Sequence, residues 1–89
     1  MELISKLIEK LEDLIQNDSG KIREEIAEIC SRFLNEEFEA YKKLNGETQD
    51  VIDGFSVMDE IEGRKEPKIL HIEIDEIKQL LQKLKAAVE

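Results

Sequence analysis

The chain has 89 residues, enough for one small domain with a single hydrophobic core and too few for a multidomain enzyme. Hydrophobic residues make up 40% and charged residues 39%, with three Phe, one Tyr and no Trp, the composition of a soluble helical protein. Acids outnumber bases 22 to 13, giving a net charge of -9, and bases adjoin only at Lys42-Lys43 and Arg64-Lys65, so nucleic-acid binding through phosphates is not expected and the charge favours a basic partner or simple solubility.

Residues 2–16 space Leu3, Leu7, Leu11 and Leu14, with Ile4, Ile8 and Ile15 beside them, along one face of an amphipathic helix. Asn17-Asp18-Ser19-Gly20 supplies turn and capping side chains, so the chain stops and restarts there. From Lys21 to Leu44, Ile22, Ile26, Ile29, Cys30, Phe33, Leu34, Phe38, Tyr41 and Leu44 keep helical spacing and predict the longest helix, about 36 Å. Asn45-Gly46 suits its end, and Thr48 suits the cap of the next helix.

Between Glu47 and Glu62, Val51, Ile52, Phe55, Met58 and Ile61 form a third stripe, which Gly54 either kinks or divides, with Ser56 then capping a second piece; the continuous helix is preferred. Gly63 to Glu66 carries no apolar side chain and reads as a loop, with Pro67 at the first position of a final helix. Beyond it two readings compete. Residues 69–74 alternate as a short strand would, with Asp75 capping a helix behind it. Alternatively, Leu70, Ile74, Ile77, Leu81, Leu84 and Val88 continue one heptad seam through 68–88, and a lone strand would lack a pairing partner. The helix is preferred. The expected fold is therefore all-α, a single domain over 1–89 built as a small antiparallel bundle of four helices. Mismatched helix lengths and the wide apolar face of the last helix point to a homodimer or another protein partner, with Leu70, Ile74, Ile77, Leu81 and Leu84 as the contact surface.

The charge is uneven: from Asn45 to Glu62 there are six acids and no base. Glu47, Asp50 and Asp53 lie near one another at helical spacing, either as a solvated acidic face or as oxygen ligands for Mg²⁺. The run Glu24-Glu25-Ile26-Ala27-Glu28, followed by Glu47-Thr48-Gln49-Asp50, resembles the Glu-Glu-x-x-Glu and Glu-x-x-Asp motifs of the all-α nucleoside triphosphate pyrophosphohydrolases related to MazG. The resemblance implies magnesium held on nucleotide phosphates by Glu28, Glu47 and Asp50, with Asp53 nearby. A straight antiparallel hairpin turning at Asn45-Gly46 would separate the two sets by about 25 Å, so the motif needs another packing of the helices to assemble.

No other catalytic or cofactor pattern stands out. One Cys and one His make neither a disulfide nor a zinc site, and Cys30 falls on an apolar stripe as a reduced, buried thiol would. The N-terminal segment carries charges within its apolar pattern, unlike a signal peptide, and no stretch suits a membrane span, so a cytoplasmic location without membrane association is expected. The wealth of Glu, Lys and Ile is of the kind found in heat-adapted proteins. The expected function is a small acidic protein-protein interaction module, possessing no evident catalysis; the alternatives are the MazG-like hydrolase and an acidic inhibitor or immunity-type protein masking a basic surface.

Overall fold

A computed structural model describes residues 2–88, apart from the side chains of Glu2 and Val88. Helix α1 (Glu2–Gln16) follows the first stripe, burying Leu7, Leu11 and Leu14 completely. Ser19 then caps α2 (Gly20–Asn35), its Oγ accepting from the Lys21 N–H at 3.2 Å. The two helices form a hairpin, tied across by Lys10 Nζ to Glu25 Oε2 at 2.8 Å.

The long second helix expected over 21–44 is divided. The N–H groups of Glu36 and Glu37 both donate to the Arg32 carbonyl, which ends the ladder, and Glu37 leaves helical backbone at φ -122°, ψ 42°. Helix α3 (Phe38–Lys42) restarts beyond it, with Tyr41 buried and Phe38 47% exposed. Apolar spacing continues through the break, which is why periodicity alone reads straight through it.

Asn45, rather than Thr48, caps α4 (Gly46–Ser56): its Oδ1 accepts from both the N–H and the Oγ1 of Thr48, each at 2.9 Å. Its Nδ2 donates to the Ala87 carbonyl at 2.7 Å, joining the start of α4 to the end of α5 (Ile74–Val88). Helix α4 accommodates Gly54 but ends at Ser56, whose Oγ donates back to the Ile52 carbonyl instead of capping a further piece.

The rest of the expected third helix and the expected loop form a hairpin. Strand β1 (Met58–Ile61) pairs antiparallel with β2 (Arg64–Pro67), Met58 opposite Pro67 and Glu60 opposite Lys65. Glu62 and Gly63 make the two-residue turn, both at positive φ (52° and 79°), as the tightest hairpin turns require. Pro67 thus ends a strand and precedes a 3₁₀ turn (Lys68–Leu70) rather than opening an α-helix. Neither the strand expected over 69–74 nor the unbroken helix over 68–88 is present: the 3₁₀ turn comes first and α5 begins only at Ile74, with Asp75 in its first turn.

The molecule is a small, mostly helical fold in which α2 and α5 each pack against both α1 and α4, with the hairpin at one side. Its radius of gyration, 12.3 Å, matches the about 12 Å of a folded chain this long. Ile77, Leu81 and Leu84 are buried within this single chain, beside Phe33, Phe55 and Leu11 in one core, so the packing gives no support to a dimer along the seam. Val88, the last seam member, has its side chain outside those described. No helix among the described residues is long and apolar enough to cross a membrane.

One buried cation locks the connections. Arg23 is only 9% exposed; its Nε and Nη2 grip both oxygens of Asp18 at 2.9 and 3.1 Å, while Nη1 donates to the carbonyls of Ile69 at 2.9 Å and Ile72 at 2.7 Å. Arg23→Met should lower unfolding stability by about 3 kcal/mol in urea titration, because two buried carbonyls lose charged donors. Ile77→Asp should abolish the helical circular dichroism outright, whereas a contact residue in an interface would leave it intact.

Candidate functional site

The acidic stretch from Asn45 to Glu62 spans α4 and the hairpin. Glu47, Asp50 and Asp53 are exposed on α4, with Glu47 in its first turn, where the helix dipole favours a carboxylate. Asp59 and Glu60 follow in β1 and Glu62 in the turn, where it lies 3.9 Å from Arg64. Glu47, Asp50, Asp59 and Glu60 have no ion-pair partner among the described residues. Between the two acid groups Val57 and Met58 are 50% and 52% exposed, an apolar pair set among carboxylates.

Asp53 has a specific role. Tyr41 Oη donates to its Oδ1 at 2.6 Å, and Phe38 stacks on Tyr41 with ring centroids 5.6 Å apart. Lys42 Nζ lies 5.5 Å above the Phe38 ring, a cation resting on its negative face. Gln49 Nε2 donates to the carbonyls of Tyr41 and Leu44, at 3.1 and 3.0 Å, fixing the corner between α3 and α4. The hydrogen bond to Asp53 is the main cause that pushes the Tyr41 hydroxyl up to about 12, assisted by burial and by the charges of Asp53 and Asp50.

The four candidate metal ligands are not gathered. Glu28 lies on the exposed flank of α2, bordering a shallow depression with Arg32 and Glu36, whereas Glu47 and Asp50 stand on the first turns of α4 and Asp53 is engaged by Tyr41. Among the described residues no group of three or more His, Cys, Asp or Glu side chains could hold a metal ion. Glu25, in the Glu24–Glu28 run, is drawn toward α1 by Lys10, which holds its carboxyl below the usual range.

Of the expected contact surface, Ile77, Leu81 and Leu84 serve the core, and Leu70 and Ile74 are half-buried. Cys30 lies fully buried, and desolvation raises its thiol to about 12 despite a hydrogen bond with Ser56, so it stays protonated. His71 is exposed, with Nε2 2.8 Å from Glu66 Oε2.

A cleft of about 360 Å³ runs between α2 and the hairpin. Ala27, Ser31, Leu34 and Asn35 form its α2 wall, with Ser56, Met58 and Pro67 opposite. It depends on strands that the sequence presents as helix and loop, so no residue pattern announces it.

No family model, curated protein or solved structure matches the chain.

The lone Tyr makes the corner directly measurable. Tyrosinate absorbance should titrate near pH 12, and Asp53→Asn should bring it down toward the ordinary value of 10. Because the folded state holds the phenolic proton more tightly than the unfolded state, this contribution to stability is complete below about pH 10 and is lost as pH rises to about 12.

Proposed function

We propose that the chain is a small acidic protein-protein interaction module that binds the basic surface of another protein. The observation that carries this reading is the α4-β1 surface, where exposed Val57 and Met58 are flanked by carboxylates with no base between Asn45 and Glu62. Exposed apolar side chains supply the contact that excludes water, and surrounding charges of one sign select and steer a partner of the other. The net charge of -9 extends the same preference to long range.

Glu47 and Asp50 suit this role better than Asp53, since the Tyr41 hydroxyl already occupies one oxygen of Asp53. The first two carboxylates hold no internal cation within the described residues, so meeting a partner's Lys or Arg breaks no bond within the fold. Such an arrangement belongs to inhibitors and immunity-type proteins that cover a basic surface, and to adaptors generally.

Affinity capture of the tagged protein from its native lysate tests the reading. A stoichiometric basic partner should bind at low salt and weaken at high salt, and Glu47→Lys with Asp50→Lys should weaken capture about tenfold or more, each reversed charge acting on both steering and contact. Salt-independent capture that ignores the reversal, or recovery of nothing but the chain itself, would sink it.

A further inference from the structure

We propose that Asn45-Gly46 is a site of spontaneous covalent modification whose reactivity is controlled by the junction between α4 and α5. Of the three asparagines in the chain, only Asn45 precedes a glycine. Asparagine is a thermally labile side chain, and a following glycine, which has no Cβ, leaves attack on the amide carbon unhindered. Both residues are exposed, so water reaches the site.

The reaction uses only groups of this chain and water. The Gly46 backbone nitrogen gives up its proton and attacks Asn45 Cγ. A new C–N bond closes a cyclic imide, the Cγ–Nδ2 bond breaks, and the side-chain nitrogen leaves with that proton as ammonia. Water then opens the imide at one of its two carbonyls. Opening at Cγ gives an aspartate, and opening at the main-chain carbonyl gives an isoaspartate, whose backbone runs through the former side chain. Nothing is oxidised or reduced.

The fold opposes the first of these steps. Asn45 is held at both ends of its amide: Oδ1 accepts from the N–H and Oγ1 of Thr48 at 2.9 Å each, and Nδ2 donates to the Ala87 carbonyl at 2.7 Å. Its own carbonyl accepts from the Gln49 N–H at 3.0 Å, at the start of the α4 ladder. A planar imide requires Cβ and the Gly46 nitrogen to eclipse one another about the Cα–C bond, and the observed ψ of 163° holds them well apart. Reaching that geometry rotates both the side chain and the backbone, which breaks the four hydrogen bonds together. Ring closure is therefore confined to molecules in which α5 has released Asn45 and the first turn of α4 has opened, and its rate follows the population of that open state.

The products keep the junction open. An aspartate at this position still accepts from Thr48 and remains a good N-cap. It sets a carboxylate oxygen where Nδ2 met the Ala87 carbonyl, acceptor against acceptor, at the negative end of the α5 dipole. An isoaspartate adds a methylene to the main chain and displaces the cap itself. Either outcome turns a transient release of α5 into a lasting one.

The test follows ammonia release, and the conversion of amide to carboxyl at position 45 by peptide mass spectrometry, in mildly alkaline buffer. The folded full chain is compared with the same chain unfolded in urea. Asp53-Gly54 can form the same imide but releases water, so neither readout counts it. The unfolded chain should react about tenfold faster or more. Gly46→Ala, whose added Cβ meets nothing within 4 Å, should keep the fold and slow the reaction in urea severalfold. Thr48→Val removes one of the bonds to Oδ1 and should speed the folded chain severalfold with the urea rate unchanged. Asn45→Asp, the product made directly, should quicken amide hydrogen exchange in the last turn of α5 severalfold, with the exchange of α2 unchanged. Equal rates in the folded and unfolded chain, or a folded Thr48→Val reacting no faster than the parent, would overturn control by the junction. Unaltered exchange at the end of α5 in Asn45→Asp would overturn the lasting release.

Discussion

The guanidinium of Arg23 ties the start of α2 to a segment that lies 46 to 49 residues later in the chain. It reaches back to Asp18 in the turn between α1 and α2 and across to the carbonyls of Ile69 and Ile72 ahead of α5. A buried cation is costly unless its donors are engaged, and here four hydrogen bonds from its planar fork engage them. The two carbonyls serve Arg23 instead of a helix ladder, and the backbone passes through a 3₁₀ turn before α5 begins at Ile74. The segment leading into α5 is thus held by a side chain 46 to 49 positions earlier.

The remaining architecture follows from that anchor. With the 3₁₀ turn held on α2 at one end and the Asn45 amide holding Ala87 at the other, α5 is secured at both ends. The chain between Ser56 and Lys68 must then leave α4 and return to α2, which it does as a hairpin of four-residue strands closed by the Lys68 N–H on the Val57 carbonyl. Strands this short leave part of the outer flank of α2 uncovered, and the cleft is the space that remains.

Sequence patterning made the helices legible where local and tertiary preferences agree. The stripe of α1 and the stop at Asn17 to Gly20 are of this kind, as is the helical class of the whole. It failed where a distant group prevailed. The seam from Leu70 through Leu84 reads as continuous because Leu70 and Ile74 keep heptad spacing with Ile77, although the residues buried ahead of α5 are Ile69 and Ile72, whose carbonyls serve Arg23. Arg23 did leave a signal, since its spacing to Ile26, Cys30 and Phe33 puts a charge on a buried stripe, a position only a well-bonded arginine tolerates. The hairpin left less: Met58-Asp59-Glu60-Ile61 does not alternate in polarity, and its turn places Glu62, a poor left-handed residue, before the permissive Gly63. For the proposed contact surface, the acid-rich stretch was legible and its division between a helix and a strand was not.

Pro67 has a consequence for how such a chain behaves in a crowded solution. The Lys68 N–H bonds the Val57 carbonyl, so Met58 and Pro67 form a pair whose backbone groups point away from one another, and the missing N–H of Pro67 falls on the outer margin of β2. On the opposite margin β1 carries Asp59 and Glu60 in succession, whose like charges repel an identical strand laid alongside. Neither margin is a good template for further strands, so apolar side chains can stay uncovered at the hairpin without nucleating the stacking of one molecule upon the next.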